Sequence, residues 1–171
     1  MKTKNLTRIA LMTAVLCILA PISLPIGSVA LTMATFAIYL MAYLLKPRQA
    51  LVAVGLYLLL GAVGLPVFSG YMAGISRFAA PGGGYLIGYL FLAGISSAFV
   101  HRFSSIFLQI GGMLLATCLT YGIGTFWLSY STGISFFTAL PAGALVFLPL
   151  DLIKIFLSFY IGRKIQKHIK K

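Results

Sequence analysis

Acidic residues are almost absent from this chain of 171 residues, in which Asp151 is the only aspartate or glutamate. Thirteen lysine and arginine residues give a formal net charge of +12, yet charged residues make up only 8% of the sequence and hydrophobic residues 61%. A soluble domain of this length needs more charge to cover its surface, so the composition excludes that class. The sequence therefore predicts an integral membrane protein.

Several chemical motifs are also missing. The two cysteines, Cys17 and Cys118, have no CxxC spacing and lie in apolar runs, where we expect them to be small buried side chains. No cluster of histidine, cysteine and carboxylate residues is present to hold a metal, and no GxxxxGK[ST] phosphate loop occurs. We therefore expect no metal site and no ATPase activity, and a single membrane domain over residues 1–171.

Six apolar segments account for most of the chain. They cover residues 6–24, 29–45, 49–65, 83–100, 106–127 and 138–161. Each is close to the roughly 20 residues that a helix needs to cross the hydrocarbon core of a bilayer. We expect the first segment to be retained as a span, because no small-x-small cleavage site precedes Pro21. The predicted fold is an all-α integral membrane protein with six transmembrane helices.

The basic residues are distributed unevenly along these segments. If six helices alternate across the membrane, 11 of the 13 fall on one side: Lys2, Lys4, Arg8, Lys46, Arg48, Arg102, Arg163, Lys164, Lys167, Lys170 and Lys171. Cytoplasmic loops carry such an excess, so both termini are predicted to be cytoplasmic. The distribution explains the net charge without nucleic acid as a partner, and the basic C-terminal tail is expected to contact anionic headgroups of the lipid bilayer.

Residues 61–88 interrupt the apolar pattern with eight glycines and two prolines. Such a composition disfavours a continuous helix, and the topology places its middle on the external side. Apolar side chains such as Phe68 predict a segment that folds back as a lid, with a flexible exposed loop as the alternative. Gly84 and Gly88 form a GxxxG pair, which permits close approach by a neighbouring helix or by a ligand.

Asp151 and Lys154 are three residues apart and share one face of the sixth predicted helix. Asp151 lies about halfway along that span, where a charged side chain is costly to insert, and Pro149 leaves the carbonyl of Leu145 without its helical partner. One interpretation is a structural ion pair that holds this helix against the bundle. We favour a ligand site, because a buried pair is rarely more stabilising than apolar residues.

Two other helices carry features with more than one interpretation. Ala10 and Ala14 form an AxxxA pair on the first predicted helix, and such small residues accept another helix either within the chain or from a partner. Trp127 lies at the external end of the fifth predicted helix. An aromatic residue there either anchors the helix at the membrane interface or forms the wall of a pocket.

These motifs together resemble those of one known family. The segments GLPVFSG (64–70) and APGGGYLIGYL (80–90) resemble the GLPVFAG…GPTGGYLIGF signature of BioY proteins, the biotin-specific substrate-binding (S) components of energy-coupling factor (ECF) transporters. The segment PLDLIK (149–154) resembles that family's PGDxxK on the sixth helix. The AxxxA pair resembles the motif by which S components dock on the shared transmembrane coupling protein.

The resemblance implies high-affinity capture of biotin from the external side, in a pocket between helices four to six that loops cap. It implies a prokaryotic cell-membrane location and partnership with a coupling protein (T component) and two ATPase subunits. The chain itself is then a transporter subunit and not an enzyme, with biotin as ligand and no cofactor. The expected substrate contacts are Asp151, Lys154, Tyr85, Gly83, Gly84, Phe68, Arg77 and Trp127.

Biotin chemistry suits several of these residues. Asp151 can accept the ureido N–H groups, Lys154 can bind the ureido oxygen or the carboxylate, and aromatic side chains at 68, 85 and 127 can cover the rings. Arg77 either binds the carboxylate or is a solvated loop charge. The chain departs from the family pattern where GPTGG reads APGGG, without the threonine hydroxyl, and where PGD reads PLD.

Three other functions stay open at this stage. In the first alternative the chain is an S component for another vitamin. In the second it is a membrane enzyme with Asp151 as general base. In the third it is an assembly subunit in which the ion pair only orders the bundle.

Overall fold

The computed structural model of the chain describes residues 3–26 and 29–169. This part forms a helical bundle with one two-stranded hairpin. The helices are α1 (Thr3–Leu19), α2 (Ala34–Leu44), α3 (Pro47–Val63), α4 (Ser76–Ala79), α5 (Gly83–Arg102), α6 (Ile106–Thr132), α7 (Phe136–Leu140) and α8 (Leu148–Ile169). The strands are β1 (Ser23–Ile26) and β2 (Val29–Thr32), and short helical turns cover Ser69–Tyr71 and Pro141–Leu145. The predicted all-α class is confirmed, with the hairpin as an addition.

Three helical stretches among the described residues are long and apolar enough to cross a membrane: Gly83–Arg102, Ile106–Thr132 and Phe136–His168. The apolar helices α2 and α3 are shorter. With 11 residues, α2 is only about 16 Å long, which is about half the hydrocarbon thickness. The predicted number of six spans, and the cytoplasmic location of the termini, therefore stay predictions.

The hairpin replaces the start of the second predicted helix. β1 and β2 pair antiparallel, with Ser23 opposite Thr32 and Ile26 opposite Val29 in the backbone register. Pro25 has no N–H to donate to a helix, and β-branched residues of β2 favour an extended backbone. The predicted boundaries 6–24 and 29–45 were wrong for this reason, since α1 ends at Leu19 and α2 begins at Ala34.

The sixth predicted span is also interrupted. A π turn at Pro141–Leu145 separates α7 from α8, so the span predicted over 138–161 is present within the helical stretch Phe136–His168 but is not one regular α-helix. Pro149 lies in the first turn of α8, where the missing N–H costs little. Asp151 lies in the same turn, although it remains near the middle of the apolar stretch Phe136–His168. The partial positive charge of a helix N-terminus stabilises a carboxylate at that position.

Helices α5 and α6 pack closely through glycine. A Cβ added at Gly88 would lie 2.7 Å from Thr120 Cγ2, and one at Gly84 would lie 2.9 Å from the carbonyl oxygen of Ile123. The hydroxyl of Thr120 also donates a hydrogen bond of 3.1 Å to the Gly88 carbonyl. The close approach that the GxxxG pair permits is therefore made by a neighbouring helix.

Many of the basic residues gather at one end of the bundle, which we call the basic end. Arg8, Lys46 and His101 line one cavity there, and the Arg163 guanidinium donates to the Ser104 carbonyl. This grouping agrees with the predicted one-sided distribution of charge. Three of the residues counted in that prediction lie outside the described residues: Lys2, Lys170 and Lys171.

The AxxxA pair of α1 lies on the outward face of the helix. Ala10 and Ala14 are exposed, whereas the buried face of the helix is formed by Ile9, Met12, Thr13 and Leu16. Packing within the described part of this chain therefore does not use the pair. Cys118 is exposed on the outer surface of α6 and Cys17 is half-buried, so the predicted burial of the cysteines was wrong for Cys118.

Candidate functional site

A cavity of about 480 Å³ lies at the opposite end of the bundle from most of the basic residues. Its wall is formed by the hairpin, the segment between α3 and α5, and residues of α2, α5, α6 and α8. Large apolar and aromatic side chains dominate the lining, among them Leu31, Phe68, Met72, Tyr85, Leu86, Tyr89, Tyr121 and Phe147. The volume and the mostly apolar wall are typical of a small-molecule site.

The Asp151 carboxylate lies in this wall and is held by three hydrogen bonds. Its Oδ1 accepts from Thr35 Oγ1 at 2.9 Å and from Lys154 Nζ at 2.8 Å. Its Oδ2 accepts from the Tyr121 hydroxyl at 2.5 Å. These donors come from α2, α6 and α8, so the carboxylate joins three separate helices. The residue is only 1% exposed.

The Lys154 ammonium also makes three hydrogen bonds within the protein. Its ammonium donates to Asp151 Oδ1, to Thr35 Oγ1 at 3.0 Å, and to the backbone carbonyl of Thr32 at 2.8 Å. An ammonium has three N–H donors, and the protein itself accepts all of them. Thr32 ends β2, so Lys154 ties α8 to the hairpin that forms one wall of the cavity.

The ion pair has the structural role of the first interpretation and also lies in the cavity wall, whereas ligand binding by it stays a prediction. The pair orders the bundle, because it connects α8 with α2, α6 and the hairpin, and it also lines the cavity. A carboxylate can accept about four hydrogen bonds. Among the described residues Asp151 Oδ2 receives only the bond from Tyr121, so it retains capacity for a ligand donor. Lys154 has no N–H donor left for a ligand, because the protein accepts all three.

The segment between α3 and α5 covers the cavity. Phe68 is 2% exposed and packs edge-to-face on Tyr57 and Phe78, with ring centroids 5.6 and 5.8 Å apart. A Cβ at Gly61 would overlap the Phe68 ring, so glycine makes room for it. The backbone turns through left-handed conformations at Gly70 (φ 67°) and Tyr71 (φ 59°). The segment, which we call the lid, therefore folds back onto the bundle at Phe68 as predicted, although Tyr71 and Ile75 are exposed; its closing over a ligand stays a prediction.

Arg77 lies on the lid and lines the cavity. It is half-buried, and within residues 3–26 and 29–169 its guanidinium makes no hydrogen bond or salt bridge. The five N–H donors of the side chain are therefore available to water or to a ligand.

The other predicted contacts occupy different positions. Tyr85 lines the cavity, and its hydroxyl donates to the Gly143 carbonyl of the π turn at 2.7 Å. Gly83, Gly84 and Trp127 lie outside the cavity wall. The indole Nε1 of Trp127 donates to the Ala80 carbonyl at 3.1 Å, which holds the end of the lid against α6. Ligand contacts by these three residues stay predictions.

Sequence reasoning missed four residues that shape the polar part of the cavity: Thr32, Thr35, Tyr89 and Tyr121. Thr32 Oγ1 lies 3.2 Å from the Tyr89 hydroxyl, and the other two bind Asp151. Their signal was weak, since each is a single hydroxyl in an apolar run and nothing in the local sequence shows its partner. Only the fold shows which hydroxyls converge.

Comparisons with known proteins identify the family. A model of the BioY family matches residues 1–171. The chain belongs to the BioY family. It is 36% identical to the biotin transporter BioY2 of Lactococcus lactis subsp. cremoris over 166 residues, which cover 94% of this chain and 89% of that protein. It is 30% identical to the biotin transporter BioY of Thermotoga maritima, covering 96% of both chains.

A solved structure extends the likeness to the fold. The crystal structure of the S-component for biotin from an ECF-type ABC transporter superposes with a TM-score of 0.90 at 33% identity. The match covers 97% of this chain and 92% of that one. The sequence prediction of BioY membership is therefore confirmed, and the chain is a multi-pass membrane protein with the S-component fold.

Proposed function

We propose that this protein captures biotin in the lidded cavity, as the S component of an ECF-type transporter. The observation that carries the proposal is the Asp151 carboxylate, which is oriented by three hydrogen bonds in the wall of a mostly apolar cavity. Biotin combines an apolar bicyclic core with a ureido group and a carboxylate, and the cavity offers matching chemistry to each part. Membership of the BioY family supports the same substrate.

Asp151 and Lys154 have different roles in this proposal: Asp151 contacts the ligand and Lys154 positions Asp151. Asp151 Oδ2 accepts a ureido N–H, because it has unused acceptor capacity next to the Tyr121 bond. Lys154 pairs with the Asp151 carboxylate and fixes its orientation, because all three of its donors are already bound within the protein. Charge-assisted hydrogen bonds are about twice as strong as neutral ones, so an ionised Asp151 is the better acceptor.

Arg77 recognises the other end of the ligand. Its guanidinium reaches the cavity from the lid, and a carboxylate is the group that an arginine binds best in bidentate geometry. A ligand held by Asp151 below and Arg77 above connects the lid to the floor of the cavity. The rings of Phe68, Tyr85 and Tyr121 then cover the bicyclic core.

Transport requires partners in this proposal, namely a transmembrane coupling protein and two ATPase subunits in a prokaryotic cell membrane. The exposed pair Ala10 and Ala14 supplies a smooth surface on α1 for a helix of the coupling protein. Replacing Ala10 with leucine is expected to prevent co-purification with the coupling protein and to leave biotin binding unchanged. Loss of biotin binding in that variant would argue against a separate docking face.

Calorimetric titration of the purified chain with biotin tests the proposal. Biotin is expected to bind tightly to the wild type, and Asp151→Asn to weaken binding by about 100-fold, since a buried hydrogen bond to a charge contributes roughly 1.5–3 kcal/mol. Lys164→Met, at the exposed basic end of the same helix, is the matched control and should bind as the wild type does. Binding of another vitamin in place of biotin would refute the choice of substrate.

A second titration tests the role of Arg77. Arg77→Gln is expected to weaken binding of biotin and to have little effect on biotin methyl ester, which has no carboxylate charge. Equal effects on both ligands would show that Arg77 does not bind the carboxylate. Unchanged binding of biotin by both Asp151→Asn and Arg77→Gln would show that neither side chain recognises the ligand.

A further inference from the structure

A second cavity of about 340 Å³ lies at the basic end of the bundle, away from the lidded site. It is lined by Asn5 and Arg8 of α1, Tyr43 and Leu44 of α2, Lys46 and Gln49 at the start of α3, His101 of α5 and Gln166 of α8. Polar and cationic side chains therefore converge on it from five helices. The proposed capture of biotin does not use any of them.

Within residues 3–26 and 29–169, the cations of this cavity have no counter-charge. Asp151 is the only carboxylate side chain of the sequence, and it is bound at the other cavity by Lys154. Within the described residues, neither the Arg8 guanidinium nor the Lys46 ammonium donates a hydrogen bond to the protein. The N-terminus of α3 begins at Pro47 beside them and adds the partial positive charge of a helix dipole.

A buried hydroxyl at the same cavity also lacks a partner. Tyr43 is 1% exposed and lines the cavity, and its OH has no hydrogen-bond partner among the described residues. Buried polar groups are normally paired, and leaving one unpaired is costly. Neutral amides complete the lining, and one of them, Gln166 Nε2, donates to the Tyr43 carbonyl at 3.1 Å. The cavity therefore offers several donors and no negative group.

We propose that this cavity binds a phosphate group, supplied by the headgroup of an anionic phospholipid. Two cations and additional hydroxyl and amide donors suit the oxygens of a phosphate, and a lone tyrosine hydroxyl then gains its acceptor. Basic pockets between membrane helices are known sites for lipid headgroups. Arg8 and Asn5 lie on the inner side of α1, so a bound headgroup leaves the exposed pair Ala10 and Ala14 uncovered.

Fluorescence anisotropy of the full-length protein in neutral detergent tests this proposal. The probe is phosphatidylglycerol labelled on an acyl chain, with labelled phosphatidylcholine as the zwitterionic comparison. The wild type is expected to prefer phosphatidylglycerol. The double variant Arg8→Gln/Lys46→Gln is expected to weaken that binding by roughly 10- to 30-fold, the effect of two cations at a headgroup. Tyr43→Phe is expected to weaken it by severalfold.

The matched control is Arg48→Gln/Lys164→Gln, which removes two exposed cations from the same end of the bundle. It should change the affinity by less than about twofold, because neither side chain lines the cavity. Lys46→Gln alone, at an exposed side chain, provides the test if the double variant does not fold. An equal loss in the control pair, or no loss in the Arg8 and Lys46 variants, would overturn the proposal.

Competition with inorganic phosphate distinguishes the two possible sources of the bound phosphate group, a lipid headgroup and free phosphate. Displacement of the labelled lipid at millimolar phosphate would assign the cavity to free phosphate as well as to the headgroup. Displacement only by unlabelled phosphatidylglycerol would assign it to the lipid. Equal binding of phosphatidylglycerol and phosphatidylcholine by the wild type would refute recognition of an anionic phosphate.

Discussion

Asp151→Asn removes the only negatively charged side chain of this protein and changes the shape of that side chain very little. In the wild type, Asp151 Oδ1 accepts from Lys154 and Thr35, and Oδ2 accepts from Tyr121. The asparagine amide can replace one acceptor oxygen but places an NH₂ group where the other oxygen was. The Lys154 ammonium is then left in a buried site without a counter-charge.

The expected loss of stability follows from this burial. Removing one partner of a buried ion pair costs about 3–5 kcal/mol. The lower end applies here, because the Thr32 carbonyl and Thr35 hydroxyl still accept from Lys154. For a chain of this size about 3 kcal/mol corresponds to a fall in melting temperature of roughly 6–12 °C.

Thermal unfolding in detergent, followed by intrinsic fluorescence without biotin, measures this effect. The double variant Asp151→Leu/Lys154→Met removes both charges and is expected to recover at least half of the loss, because an apolar pair has no desolvation cost. Its recovery is incomplete because the hydroxyls of Thr35 and Tyr121 lose their acceptor. Biotin binding should stay weakened in the double variant, since an apolar pair cannot accept a ureido N–H.

Two results would refute this reasoning. A fall of less than about 2 °C in the single variant would mean that the network contributes little to stability. Additive effects of the Asp151 and Lys154 substitutions would mean that the two groups are not coupled, because contacting residues normally show interaction energies of about 0.5–3 kcal/mol.

Three further predictions concern the lid and the outer surface. Gly61→Ala is expected to displace the Phe68 ring and weaken biotin binding, which a titration measures; unchanged affinity would mean that the lid tolerates the shift. Trp127→Phe should lower stability by about 0.5–1.5 kcal/mol through loss of the bond to Ala80, and an unchanged melting temperature would contradict it. Cys118 should react slowly with any maleimide in vesicles and rapidly after unfolding in denaturant, because it faces outward from an apolar span where the reactive thiolate is disfavoured; rapid labelling of the folded protein by a charged maleimide would place it in water.

Much of the site could be predicted from local sequence. Asp151 and Lys154 stood out because charge is rare in this chain, and their spacing of three placed them on one helical face. The glycine-rich segment indicated a lid for a similar reason, since it cannot continue a helix. Trp127 gave no comparable signal, because an aromatic residue at a helix end suits an interfacial anchor, a pocket wall or, as found, a bond to the lid.

The hairpin shows why the ends of the helices were harder to predict from the sequence than the site residues. The apolar segment 29–45 has the length and composition of a membrane helix, and its first residues pair instead with β1. Hydropathy measures only whether a segment is apolar, and both a helix and an apolar hairpin satisfy that condition. The pairing partner of β2 decides between them, and it comes from another part of the chain.

The sequence by itself determined that this protein resides in a membrane, that a glycine-rich segment interrupts the helical pattern, and that one carboxylate and one ammonium lie together on the last helix. Composition and short spacings are local properties, so they can be read without the fold. Only the tertiary structure decided how the two charges are used. Thr32, Thr35 and Tyr121 are distant from Asp151 in sequence, and their contacts leave the carboxylate with acceptor capacity and the ammonium with none. Hydrogen-bond satisfaction depends on groups that converge from separate helices, and no local pattern records that convergence.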